Sequence, residues 1–265
     1  PPYAEQRKED YGGVPTDEYV DWWKDIQHNA KSVIRDDGSF FLNIKPHVDN
    51  GERVLYVFDL VITMKREWGW SFIDEYCWLR SGVPKKVETR FKNGFESIYH
   101  FAPIPNNFKF RPNRVMHDSQ QVPGGDKSLP KKTSGGVASR LQGGTQSGNI
   151  FGEQDITPGK AYPSNVIKAF SNSESLGHSA AFPPQLPTFF IKAYSDVADI
   201  WYDPFLGSGT TIVACEQLAR IGYGIELYPP YVAVTLERLE DMGLAPCKSD
   251  SIRLGSDDYD NLRSD

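Results

Sequence analysis

The sequence predicts an α/β domain, and two observations carry that prediction. The apolar run Ile200-Trp201-Tyr202 ends in Asp203-Pro204, passes through Phe205-Leu206 into a Gly207-Ser208-Gly209 turn, and continues as a helix from Thr210. Ile212, Val213, Ala214, Leu218 and Ala219 fall on the buried side of that helix, and the Ile200 run reads as a buried strand. Strand, glycine turn and helix in succession aim backbone N–H groups at a ligand, and a glycine without Cβ lets the ligand reach the main chain. The second observation is Glu226, about 20 residues after Gly207 and at the end of the next predicted strand, Gly222–Ile225. An acid at that spacing suits the two hydroxyls of a ribose. Together they predict a nucleoside-containing cofactor bound near residues 203–226.

A Gly-x-Gly alone is also a tight turn that binds nothing. The third glycine of a dinucleotide fingerprint is missing, because Thr210-Thr211-Ile212 follows. That argues against a nicotinamide oxidoreductase.

The remaining elements follow in chain order. Residues 4–15 are polar and glycine-containing and read as a loop. Thr16 is the expected N-cap of a helix with Asp17 and Glu18 in its first turn and Tyr19, Trp22, Trp23, Ile26, Ala30 and Val33 at helical spacing. Asp37-Gly38 turns the chain into a strand at Ser39–Ile44, apolar enough to be buried on both faces. After a break at Asn50-Gly51, Val54, Val57, Phe58, Val61 and Met64 mark one side of a second helix. Strands are expected at about Phe72–Leu79 and Glu96–Phe101, separated by a loop at Arg80–Lys86 and a turn at Asn93-Gly94. A short helix at Thr188–Tyr194 leads to the Ile200 strand. Pro229-Pro230 open a last helix through Tyr231, Val232, Leu236 and Leu239 that stops at Gly243.

Between Ala102 and about Ser175 apolar periodicity fades, and Gly, Ser, Asn and Pro dominate. A loop of that length inside a compact domain is functional or disordered more often than not. Between Ala102 and Phe170 there are nine basic residues (Lys109, Arg111, Arg114, Lys127, Lys131, Lys132, Arg140, Lys160 and Lys168) against four acids, in a chain of net charge −6. A basic solvated linker and a DNA-contacting segment both fit that bias. The tail from Lys248 is rich in Ser and Asp and is expected to be mobile.

Composition bounds the rest. The 265 residues suit one large domain or a catalytic domain with an insert. No run approaches the ~20 apolar residues of a membrane helix, and no signal peptide is visible, so a cytoplasmic location is the default. Cys77, Cys215 and Cys247 are too few and too scattered for a disulfide framework or a metal site. Cys77 and Cys215 read as small core residues.

The string Asp203-Pro204-Phe205-x-Gly207-Ser208-Gly209-Thr210-Thr211 resembles the S-adenosylmethionine motif of the amino-group DNA methyltransferases, which act on N4 of cytosine or N6 of adenine. His178-x-Ala180-x-Phe182-Pro183 is similar to the element these enzymes place before their cofactor strand. By that resemblance Phe182 packs near the cofactor, although a plain core aromatic fits as well, and His178 reads better as a structural histidine. Pro1-Pro2-Tyr3 resembles the last three residues of the catalytic Ser/Asp-Pro-Pro-Tyr. An exocyclic amine is a weak nucleophile because its lone pair is delocalised into the ring. A side-chain oxygen and a proline-held carbonyl that accept its hydrogens favour a more tetrahedral nitrogen, and the tyrosine ring supports the extruded base. Alignment then dominates the rate.

The order, with the catalytic tripeptide first, then the basic insert, then Phe-Pro, then the glycine turn, is similar to that of the β group. The resemblance spans Pro1 to about Leu244, and the stretch through Tyr11-Gly12-Gly13 looks like bacterial and phage members whose motif starts with Ser, which goes with N4-cytosine. It implies a Rossmann-like S-adenosylmethionine-dependent methyltransferase fold, a mixed sheet with helices on both faces. It also implies double-stranded DNA as partner, no metal, and a role in restriction-modification. The expected division is 1–101 for the catalytic half, 102–175 for an inserted target-recognition region, 176–246 for the cofactor half and 247–265 for an acidic tail. The catalytic residues implied are Pro1, Pro2 and Tyr3. The cofactor residues implied are Phe182, Asp203, Pro204, Phe205, Gly207, Ser208, Gly209, Thr210 and Glu226. In that family a Gly-Asp turn, a helix and a central strand precede the tripeptide. The expectation is therefore a fold lacking those N-terminal elements, in a chain that as written neither folds stably nor methylates DNA, while a version extended upstream does both. N6-adenine methylation and a DNA-binding remnant without catalysis stay open as alternatives.

Overall fold

The structure, a computed structural model, describes residues 1–5, 13–80, 89–118, 160–169 and 182–245. The expectations for His178, for the loop through 81–86 and for the tail from Lys248 lie outside those residues. Two compact units are present: Pro1–Arg111 with Ser164–Asp265, and Pro112–Pro163. In the second unit a 3-10 turn at Pro112–Val115 precedes a short antiparallel pair, β6 (His117–Asp118) with β7 (Lys160–Ala161).

The first unit is built on a four-stranded sheet of order β1-β5-β4-β8. Its strands are β1 (Phe40–Asn43), β4 (Ser71–Leu79), β5 (Phe95–Ala102) and β8 (Val166–Lys168). β1 and β4 both run antiparallel to β5, while β8 lies parallel to β4, so the sheet is mixed. β8 was not expected from sequence. It is three residues long in a polar stretch, and only Ile167 is buried, by pairing with Trp78. Between β1 and β4 the chain makes a hairpin, β2 (Val48–Asp49) with β3 (Glu52–Arg53), at the Asn50-Gly51 break.

Period-2 alternation sends the two faces of this sheet into different cores. On one face Leu42, Tyr99 and Phe101 meet Tyr19 and Trp23 of α1 (Tyr19–Val33) and Tyr56, Val57, Leu60 and Met64 of α2 (Tyr56–Arg66). On the other face Phe41, Tyr76 and His100 meet Phe190 and Tyr194 of α3 (Gln185–Tyr194). Helices therefore cover both faces.

A parallel pair, β9 (Ile200–Asp203) with β10 (Ile221–Gly224), is joined by α4 (Thr210–Gln217), which buries Val213 and packs Ala214 and Cys215 with Ile191 of α3. Trp201 stacks on Phe41 at 6.2 Å and links this pair to the aromatic cluster. The final helix, α5 (Pro229–Asp241), begins at the two prolines as expected.

Several local expectations are corrected. Thr16 is not the N-cap of α1: residues 16–18 form a turn, and Glu18 takes the cap position with its carbonyl accepting from Trp22 N–H at 2.9 Å. Val33, at the end of α1, is exposed. In α2 the buried face is Tyr56, Val57, Leu60 and Met64, while Phe58 is exposed and Val54 precedes the helix, so the buried stripe is rotated from the one expected. The Tyr56 hydroxyl donates to the Lys45 carbonyl at 3.0 Å. β9 is only partly covered, with Ile200 and Tyr202 exposed on the side away from α4. Leu218 and Ala219 follow α4 rather than belong to it, and α3 begins three residues earlier than read. Cys215 is buried, whereas Cys77 is half-buried in β4.

Candidate functional site

The glycine turn is held in shape by four side chains, one of them Thr235, whose hydroxyl donates to the Gly207 carbonyl at 3.3 Å. Asp203, at the end of β9, accepts from the Phe205 N–H at 3.0 Å and from the Thr211 hydroxyl at 2.6 Å, so one carboxylate ties the strand to the start of α4. Glu226 accepts from the Gly207 N–H at 2.7 Å and from the Tyr228 N–H at 2.8 Å. Arg238 of α5 donates to the Ser208 carbonyl at 2.5 Å and to the Thr210 hydroxyl at 3.2 Å. Burial pulls the Arg238 guanidinium down from its ordinary range. Ser208 and Thr210 are buried and Pro204 is half-buried.

The two glycines differ in what surrounds them. Both have positive φ, +57° at Gly207 and +78° at Gly209. A Cβ on Gly209 would lie 2.5 Å from Thr235 Cγ2, so that position is glycine for internal packing. A Cβ on Gly207 would meet nothing within 4 Å. The open space beside the turn therefore lies next to Gly207.

Phe205 turns away from that space. Its ring lies 6.0 Å from Trp22 and 5.6 Å from Trp23, against the α1–α2 core. The same core anchors the N-terminal tripeptide. Tyr19 donates to the Pro2 carbonyl at 2.6 Å, Ala4 is fully buried, and the Tyr3 ring packs on the cluster's edge. Tyr3 and Ala4 thus share a core with Phe205 of the cofactor-type turn, although about 200 positions separate them in sequence. Among the described residues nothing donates to the Pro1 carbonyl. Phe182, half-buried, begins the run into α3.

Sequence reasoning missed the supports of this site. Tyr3 donates to Glu96 at 3.3 Å, and Glu96, almost fully buried in β5, is paired with both Lys45 and Arg80. Burial, and then the Glu96 charge, raise the Tyr3 phenol well above its ordinary value, so Tyr3 is a neutral donor. Glu96 leads an apolar strand without motif, and no local signal marks it. Tyr19, Thr235 and Arg238 were legible only as helix residues, because their partners lie 17 to 30 positions away. Among the described residues there is no group of His, Cys, Asp and Glu arranged to hold a metal ion, and no helix long and apolar enough to cross a membrane.

Comparison with known proteins supplies a family. A profile described as DNA methylase, covering N6- and N4-type enzymes, matches residues 1–237. The type II methyltransferase M.PvuII of Proteus hauseri is 28% identical over 277 residues, spanning 92% of this chain and 77% of that protein. The solved structure of PvuII DNA methyltransferase (cytosine-N4-specific) superposes with a TM-score of 0.64 at 25% identity, over 94% of this chain and 79% of that one. The M1.HpyAVI–SAM complex shares the fold, with a TM-score of 0.53 at 17% identity over 90% of this chain and 86% of that one.

Proposed function

Since this chain belongs to the DNA methylase family of N6- and N4-type enzymes, we propose that it moves a methyl group from S-adenosylmethionine to the exocyclic N4 of a cytosine extruded from double-stranded DNA. The observation that carries this reading is the core shared by Tyr3, Ala4 and Phe205, which joins the tripeptide and its amine-accepting carbonyl to the glycine turn. The cytosine-N4 description of the PvuII enzyme favours N4 over N6.

The turn fits the cofactor. The open space beside Gly207 admits a group against the main chain, and Glu226 is held at the turn by the Gly207 and Tyr228 N–H groups. When bound, S-adenosylmethionine supplies a methyl carbon made electrophilic by a sulfonium sulfur. Gly207 and Glu226 would hold its nucleoside, with Asp203, Ser208, Gly209 and Thr210 keeping the turn in register. Pro204 and Phe205 set the course of the turn, and Phe182 flanks the pocket. On the base side, the Tyr19 bond occupies the Pro2 carbonyl and leaves the Pro1 carbonyl for the target amine. The Tyr3 ring supports the extruded base, partly offsetting an unstacking cost of a few kcal/mol. Residues 102–175 form the target-recognition region between a catalytic half (1–101) and a cofactor half (176–246).

The test is methyl transfer from labelled S-adenosylmethionine to duplex DNA, followed by nucleoside analysis. N4-methylcytosine is the expected product. N6-methyladenine would reassign the base, and cofactor binding without any transfer would remove catalysis from the reading.

A further inference from the structure

The side chain behind Tyr3 is a carboxylate that the sequence did not mark. Glu96 is 1% exposed and holds two cations, Lys45 and Arg80, which are 31% and 36% exposed. It also receives the Tyr3 hydroxyl at 3.3 Å. Lys45 Nζ stands 5.5 Å from the centre of the Tyr3 ring, over its face, and Arg80 lies 5.0 Å over the ring of Trp78. A buried carboxylate with two cations is an expensive arrangement unless its hydrogen bonds are made, and here it carries three.

An aromatic ring has two faces. Lys45 lies over one, so a base stacked on Tyr3 has the other. The Glu96 bond fixes the phenol end of the ring, and the Tyr19 bond to Pro2 fixes its backbone. Between them the ring plane is set from both ends.

We propose that Glu96 is a positioning residue for methyl transfer: it holds the Tyr3 ring through the phenol and keeps Lys45 on the far face, leaving one face for the target base. The proposal rests on the reading of Tyr3 as the base platform. Glu96 touches neither cofactor nor reacting atoms, so its effect passes through Tyr3.

A double-mutant cycle on the full chain, Tyr3→Phe with Glu96→Gln, tests this. Each single change is expected to lower kcat about 10- to 100-fold, in the range a small misplacement of a reacting group produces, with S-adenosylmethionine affinity by calorimetry unchanged. The double variant is expected to lose little more than either single one. The fluorescence rise of 2-aminopurine at the target position should fall in step with kcat. Where Glu96→Gln fails to fold, Glu96→Gln with Lys45→Met replaces it, because that pair of changes keeps the cluster's net charge. Additive losses in kcat, or a fall in cofactor affinity matching the fall in kcat, would overturn the proposal. A wild-type chain that transfers no methyl group refutes the function instead. The same cycle read in urea unfolding then decides the Tyr3–Glu96 tie, with coupling supporting it and additivity sinking it.

Discussion

Glu226 does two jobs at once, and its substitutions should separate them. It accepts the Gly207 and Tyr228 N–H groups and, in the proposed function, holds the nucleoside of the cofactor. Glu226→Ala should weaken S-adenosylmethionine binding by about 1–3 kcal/mol, the cost of a lost charged acceptor. Glu226→Gln, which keeps one acceptor oxygen, should lose less. Calorimetric titration checks both, and equal affinity in all three proteins would take Glu226 out of the site. His100 makes a different prediction. It is fully buried between Phe41, Phe108 and Tyr194, bonds Ser39 at 2.9 Å, and leaves Nδ1 without a partner among the described residues. Burial pushes its imidazole down to about 3 from the ordinary 6.5, so the fold holds it neutral. The unfolded chain takes up a proton below about pH 6.5 while the folded one does not, and stability therefore falls as pH drops from 6.5 toward 3. The slope from this group approaches about 1.4 kcal/mol per pH unit. His100→Phe removes the titration, so its unfolding free energy should decline less steeply over that window than the wild type's. Parallel declines would contradict the burial account.

At the scale of the element, the strand–turn–helix unit uses its two glycines for different purposes. Gly209→Ala combines positive φ with a clash on Thr235 and should destabilise the fold by about 2 kcal/mol or more. Gly207→Ala meets nothing, so its cost to stability should stay near ~1 kcal/mol of backbone strain, while its methyl group enters the open space and lowers cofactor affinity. Thermal unfolding and cofactor titration on the two variants should give opposite rankings, and identical rankings would refute the division. This unit was legible in sequence because strand, turn and helix are contiguous and each leaves a local pattern. β4 and β5 were legible for the same reason. The phase of α2 was misread because Tyr56, whose hydroxyl donates to the distant Lys45 carbonyl, takes the buried side together with Leu60 and leaves Phe58 outside. β8 escaped notice because three residues of a polar segment become a strand only through their partner, and Glu96 because its meaning lies in Tyr3, Lys45 and Arg80, distant in sequence. Local pattern singled out the tripeptide and the turn as candidates. Only the fold brings them together.

For the whole molecule the question is how a chain of net charge −6 would bind a polyanion. The nine basic residues between Ala102 and Phe170 are not equivalent. Lys109 pairs with Asp199 at 2.6 Å, Arg111 with Asp196 at 3.2 Å and Lys160 with Asp118 at 2.5 Å. The first two pairs tie the segment after β5 to the turn before β9, so Lys109→Ala and Arg111→Ala should lower stability more than DNA affinity. Lys127, Lys131, Lys132 and Arg140, beyond the described residues, are the stronger candidates for phosphate. Each phosphate neutralised adds a slope of about −0.9 to the dependence of log affinity on log salt. Replacing those four with alanine should therefore flatten the salt dependence of duplex binding by about 3 to 4 units and weaken affinity at low salt, with S-adenosylmethionine binding unchanged. Fluorescence anisotropy with duplex DNA over a salt series measures the slope. An unchanged slope would place the phosphate contacts elsewhere on the chain and return the basic stretch to the role of a solvated linker.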